Sequence, residues 1–314
     1  MSPRITVLLL ALLCFSAKTF AQNGIFYGNV TDNEIRFLDP ATGATSLIAT
    51  GGLDSQFEYD LFTVNTATNI AYQLGNLNSV HTLESVNLTT GAASYVSMTL
   101  PGTVVFGGFY NSNLIVSTGN QVYSVDTTTG GSTLLATGDL NTIFLYNKFI
   151  VDSANGMAYQ FGVKNAQNTF VTFNLVTGVV TDLSTNLSGD PIFGGFYNGE
   201  LIAAQGNQIR SVNLTTGTST VLANGILTTQ STYDKFIVDS TTGLAYQYGV
   251  LSSVNTIETV NLANGTVTTA TSTAPVTPNF GGVGAAPAPA PEPSVIALGL
   301  AGAAALLLYR KRKV

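Results

Sequence analysis

Asp60 and Asp234 hold the same place in two copies of a recurring stretch, and Asn147 holds it in the copy between them. A tyrosine precedes each one (Tyr59, Tyr146, Tyr233), and a lysine follows two of them (Lys148, Lys235). Two carboxylates are what glycoside cleavage requires, one to protonate the leaving oxygen and one to activate water or attack. Tyrosine rings add a surface on which sugar faces stack, although the chain has no tryptophan, the strongest such platform. The plainer expectation is that the acids and lysines form surface ion pairs. A binding face for sugar or a cation is the functional alternative.

Other chemistry has little to work with. The one histidine, His81, corresponds to Asn168 and Asn255 in the other copies and reads as a structural polar loop residue, and one imidazole cannot build a zinc site. Cys14, the one cysteine, lies in the N-terminal apolar segment, so the body has no thiol nucleophile. Glycine-rich pieces such as "FGGFYNG" lack the following lysine and helix of a phosphate cradle. No catalytic residue, metal ligand or cofactor is assigned.

The elements that position these residues are strands. Thr, Ser, Val, Asn and Gly dominate, and 45% of the 314 residues are hydrophobic against 9% charged. Runs rich in Val, Ile, Thr, Tyr and Phe alternate with Gly, Asn, Asp and Ser breaks, which predicts an all-β chain. A turn recurs as "LDPATG", "VNLTTG", "VDTTTG", "FNLVTG", "VNLTTG" and "VNLANG", with glycines 43, 91, 130, 178, 217 and 265. Their spacings alternate between 48 and 39, so the larger period is 87 residues. Tyr72, Tyr159 and Tyr246 of the "AYQ" triplets keep that register and read as sheet-packing residues.

Three tandem copies of two related halves, each with about four strands, predict a six-bladed β-propeller. An 87-residue unit with eight strands also suits an immunoglobulin-like sandwich, but the half-repeat is too regular for one. "PNFGGVG" decides between them. It repeats the openings "VVFGGFY" and "PIFGGFY" after the last complete copy, whereas the first copy starts at "GIFYGNV", one strand late. The residues around Phe280–Val283 therefore supply the missing innermost strand of the first blade and close the ring. Their paired glycines are expected to permit close backbone approach where inner strands crowd the axis.

The termini carry addresses. Residues 1–21 read as a signal peptide, with Arg4, an apolar run and a small-x-small site before Gln22. Residues 22–284 are the propeller, 285–293 a Pro/Ala linker, and 294–314 an apolar helix with a basic tail. Six of the 11 basic residues and one of the 17 acids, Glu292, fall outside residues 22–284, leaving five bases against 16 acids, a body charge of −11. Such a body repels phosphate backbones, which excludes nucleic acid as a partner. Five Asn-x-Ser/Thr sequons, starting at Asn29, Asn87, Asn186, Asn213 and Asn264, reflect Thr-rich turns. The run Ser294–Tyr309 spans about 24 Å as a helix, and the basic cluster beyond it should stay cytoplasmic.

Pro291-Glu292-Pro293, the short apolar helix and the terminal Arg/Lys cluster together resemble the PEP-CTERM sorting signal of Gram-negative bacteria. The resemblance covers about the last 25 residues. It implies recognition of Pro291, Glu292 and Pro293 by an exosortase, with Arg310, Lys311, Arg312 and Lys313 as the stop-transfer cluster. It also implies export across the inner membrane, transient or permanent anchoring there, and delivery to the cell surface or extracellular matrix. The body resembles bacterial propellers with an x-x-D-x-x-T-G-x-x-T turn, a feature of fold. The expected function is a surface or matrix interaction scaffold whose partners are polysaccharide or surface proteins. The alternative is an extracellular hydrolase or lyase acting on polysaccharide through channel-mouth carboxylates.

Overall fold

The repeated turn closes on itself in the same way six times. Its leading acid or amide (Asp39, Asn87, Asp126, Asn174, Asn213, Asn261) accepts a backbone N–H two residues on through its side-chain oxygen, at 2.7–3.0 Å. The N–H of the turn glycine donates back to the carbonyl of that same residue at 2.8 Å in all six. The glycines sit at φ of 72–73°, a left-handed conformation that a side chain disfavours. Asn87 and Asn213 are thus turn residues, whereas Asn29 is fully buried in a strand.

The computed structural model describes residues 23–29, 32–56, 61–100, 102–144, 148–230, 235–274 and 278–285. They form six antiparallel sheets, numbered here as blades from the N-terminus. Blade 1 runs from the inside outward as Asn279–Ala285, Asn23–Asn29, Glu34–Leu38 and Thr45–Thr50. Blade 3 is Val104–Tyr110, Asn113–Thr118, Gln121–Val125 and Ser132–Thr137, and blade 5 is Ile192–Tyr197, Glu200–Gln205, Gln208–Val212 and Ser219–Asn224. In the even blades the innermost strand comes in two pieces. Blade 2 has Ser55–Gln56 and Phe62–Asn65 on Ile70–Leu77, then Val80–Asn87 and Ala93–Ser97. Blade 4 has Thr142–Ile143 and Phe149–Asp152 on Met157–Lys164, then Gln167–Asn174 and Val180–Ser184. Blade 6 has Thr229–Gln230 and Phe236–Asp239 on Leu244–Leu251, then Val254–Asn261 and Val267–Thr271.

Each innermost strand meets those of both neighbouring blades, from blade 1 round to blade 6 and back. The chain is therefore an all-β six-bladed propeller, and the sandwich alternative falls. Closure is as the overhang requires: Asn279–Ala285 pairs with Asn23–Asn29, with Ile25 opposite Val283 and Tyr27 opposite Phe280. The strand reaches Ala285, one residue past the expected boundary at 284.

Three sequence expectations are revised. The even inner strands are expected as single strands but come in two pieces: in blade 2 Gln56 faces Gly75 and Phe62 faces Gln73. The inner glycines make room for a neighbour's ring and not only for backbone crowding. A Cβ on Gly107, Gly194 or Gly281 would lie 2.3–2.5 Å from the ring of Phe149, Phe236 or Phe62 on the next blade. His81 lies in the strand Val80–Asn87, opposite Asn76, and not in a loop. The core is made where blade faces meet: Val105, Ile115 and Val122 of blade 3 pack with Phe149, Val151 and Phe173 of blade 4. Tyr72, Tyr159 and Tyr246 are buried in the sheets, as packing residues should be.

Among the described residues no helix is long and apolar enough to cross a membrane. The signal peptide, the linker, the sorting motif Pro291–Pro293, the apolar C-terminal run and the basic cluster Arg310–Lys313 lie outside the described residues.

Candidate functional site

Of the eight residues expected at the channel mouth, two are described, Lys148 and Lys235. Tyr59, Asp60, Tyr146, Asn147, Tyr233 and Asp234 lie outside the described residues. Both lysines precede an inner strand of an even blade, at the position that Leu61 holds in blade 2. Their carbonyls accept the N–H of Phe161 and of Tyr248, as that of Leu61 accepts the N–H of Leu74. The two lysine side chains are only 1% and 3% exposed, and the acids beside them in sequence lie outside the described residues. Lys148 Nζ lies 3.0 Å from Asp190 Oδ1 on the approach to blade 5. Lys235 Nζ donates to Asn279 Oδ1 at 3.2 Å, at the start of the closing strand. Each lysine thus ties its blade to the next one.

Two carboxylates that sequence reasoning missed are fully buried, Glu84 and Glu258, with Val171 at the corresponding place in blade 4. Glu84 accepts the N–H of Gly52 at 2.7 Å on Oε1, and Gln73 Nε2 donates to its Oε2. Glu258 Oε2 accepts the N–H of Ile226 at 2.6 Å. Its Oε1 has no partner, and neither has Oε1 of Gln247 on the facing strand. Burial pushes the Glu258 carboxyl above its ordinary range, opposed by the N–H groups of Ile226 and Leu227. These acids brace the links between blades. A signal was available, since glutamate stands at one inward strand position in two copies of three, but the surrounding strand reads as ordinary β-sequence.

The concave feature lies elsewhere, between the outer parts of blades 4 and 5. A groove of about 580 Å³ is walled by the start of Gln167–Asn174, the link 184–187 and the turn 216–218 of blade 5. Amides and hydroxyls make up most of this wall, and no charged residue lines it. Its shape is held from within: Thr185 Oγ1 donates to Gly217 O at 2.6 Å, the N–H of Ser219 donates to Asn186 Oδ1 at 2.7 Å, and Asn168 Nδ2 donates to Leu187 O at 2.8 Å.

No family model matches the chain, and no curated protein is similar to it in sequence. Among solved structures it is similar to a chain of a nidogen/laminin complex, at 10% identity and a TM-score of 0.61, over 85% of this chain and all of that one. It is similar as well to TolB from Acinetobacter baumannii, at 11% identity and a TM-score of 0.59, over 90% of this chain and 70% of that one. The likeness is one of fold. It carries no function across, so the chemistry must be read from the groove itself. An uncharged wall of hydrogen-bonding groups suits a ligand rich in hydroxyls or amides. Among the described residues no cluster of three or more His, Cys, Asp or Glu could hold a metal ion.

Proposed function

We propose that the chain is an exported interaction module of the cell surface or extracellular matrix, carried there by its C-terminal sorting signal and binding through the propeller. The observation that carries the reading is the groove between blades 4 and 5, a concavity of ligand-binding size walled by amides and hydroxyls. The two described mouth lysines serve as cross-blade clamps. The order Pro-Glu-Pro, apolar run and basic tail supports export followed by processing.

Fractionation tests this. The mass of the protein is measured in membrane, surface and medium fractions for the wild type and for Glu292→Ala. A shortened wild-type protein at the surface or in the medium, with the variant left full-length in the membrane, is the expected result. Full-length protein in the membrane in both cases would sink the sorting reading.

A further inference from the structure

The three inter-copy junctions of the ring are not chemically equal, and the difference lies in the groove. Gln167, exposed on its wall, corresponds to Val80 and Val254 at the junctions of blades 2 with 3 and 6 with 1. Asn186 corresponds to Thr99 and Thr273. The 4/5 junction thus places two carboxamides where the other copies place valine and threonine. Its backbone bond is also longer. At the 6/1 junction the N–H of Thr273 donates to Gly43 O at 2.9 Å, whereas the equivalent bond from Asn186 to Gly217 O is 3.4 Å.

The bonds within the groove leave its outward chemistry open. Asn186 spends Oδ1 on the N–H of Ser219 and keeps Nδ2. Gln167 accepts a weak 3.4 Å bond from Ser184 on Oε1 and keeps Nε2. The Thr216 and Thr218 hydroxyls bond each other at 2.7 Å, which leaves one of their two protons for a ligand. The wall thus offers open donors, Asn186 Nδ2, Gln167 Nε2 and one threonine hydroxyl, beside hydroxyl oxygens that can still accept, all without a charge. This suits a polyol, whose hydroxyls both give and take hydrogen bonds.

Charge selects among polyols. A body charge of −11 repels polyuronates and other anionic chains, and a polycation would find no carboxylate in the groove. We infer that the groove between blades 4 and 5 binds a neutral, hydroxyl-rich polysaccharide, with Gln167, Asn186 and the Thr216–Thr218 pair as its contacts. This inference rests on reading the same groove as the interaction site.

The ring itself supplies variants that should fold. Gln167→Val and Asn186→Thr install residues that equivalent positions already carry. Purified full-length protein is titrated calorimetrically with neutral glucans, neutral galactans and the polyuronate alginate, at low and at moderate salt. The expected result is binding of a neutral polymer with little salt dependence, weakened about tenfold or more in the double variant because two charge-free hydrogen bonds are lost. Thermal melts of the variant should match the wild type. Binding to alginate alone, undiminished binding by a folded double variant, or binding to none of the neutral polymers would each overturn the inference. A chain that reaches the surface but captures only protein there keeps the interaction reading and loses the glycan. A chain retained in the membrane that still binds glucan or galactan keeps the glycan and loses the address.

Discussion

Gly43 and Gly91 are the same residue of the same turn in consecutive blades, at φ of 72° and 73°. Alanine at either position pays the same left-handed backbone cost, about 1–2 kcal/mol. Their surroundings differ. A Cβ on Gly43 would lie 1.8 Å from the carbonyl oxygen of Thr271 and 2.6 Å from its carbon, both backbone atoms of blade 6. A Cβ on Gly91 would meet nothing nearer than 3.9 Å. No rotamer relieves a clash with backbone, so blades 1 and 6 must part by roughly 1.6 Å to bring 1.8 Å to ordinary contact at 3.4 Å. Overpacking of that kind costs about 1–3 kcal/mol. The same movement stretches two bonds to Gly43 O, from the N–H of Thr273 at 2.9 Å and from its hydroxyl at 3.2 Å. Each contributes about 0.5–1.5 kcal/mol. Gly43→Ala should therefore cost about 3–6 kcal/mol and Gly91→Ala about 1–2 kcal/mol. At about 2–4 °C per kcal/mol, the first should melt roughly 10 °C or more below wild type and the second about 3–5 °C below. Urea unfolding and scanning calorimetry of the full-length protein read both values. Equal losses in the two variants would show that the turn conformation alone matters and would refute the argument for a tight 6/1 junction.

Glu258 and Glu84 should respond in opposite senses to amidation. Glu258→Gln offers an N–H to the unpartnered Oε1 of Gln247, whereas Glu84→Gln sets a second amide donor against Gln73 Nε2. Because burial raises the Glu258 pKa above its unfolded value, the wild type keeps this site's stability below the ordinary carboxylate range and loses it as pH climbs through the raised value. The advantage of Glu258→Gln in urea midpoint should thus grow from pH 4 to pH 8, and a variant weaker than wild type at pH 8 would contradict the assignment. Phe280 is buried in the closing strand opposite Tyr27, so Phe280→Ala should cost about 3–5 kcal/mol by urea unfolding, and a loss under about 1 kcal/mol would mean that the overhang does not close the ring. Lys148 is 1% exposed, so Asp190→Ala takes a carboxylate from a buried ammonium and should cost about 3 kcal/mol by urea unfolding, and Lys148→Ala, which also empties the space of its stem, should cost more. Similar costs for the two would place the clamp's energy in the ion pair and not in the buried stem.

The fold was legible because its signals are local and repeat. A turn that requires glycine in a left-handed conformation leaves glycine at that spot six times, and the spacing of those glycines gives the blade. The orphan "NFGG" gave the closure, since a strand without the rest of its blade must complete another one. The division of the even inner strands was not legible, because only pairing with the next strand reveals it, as Ser55–Gln56 and Phe62–Asn65 on Ile70–Leu77 do in blade 2. The groove was hidden for a different reason. Gln167 and Asn186 lie 19 positions apart and meet the turn of the following blade through tertiary packing, so no spacing rule joins them. What the sequence did contain was a departure from its own repeat, valine to glutamine and threonine to asparagine, in one copy of three.

That departure falls where the ring can accept it. At the 6/1 junction the turn bearing Gly43 belongs to the N-terminal part of the chain, and the Thr273 it contacts is 230 residues away. Contacts there hold together two ends of the chain whose encounter costs loop-closure entropy, and loosening them would open the ring at its seam. At the 4/5 junction the link 184–190 and the turn at Gly217 lie within one continuous stretch, about 30 residues apart, so chain connectivity keeps the blades in register even with a backbone bond of 3.4 Å. Thr185 Oγ1 takes up the carbonyl that the lengthened bond serves poorly, at 2.6 Å. The turn packs as closely at 4/5 as at the seam, a Cβ on Gly217 lying 1.9 Å from Ser184 O against 1.8 Å for Gly43 and Thr271 O. Changes of side chain at 4/5 are nonetheless backed by chain connectivity, while those at 6/1 would be borne by the seam itself.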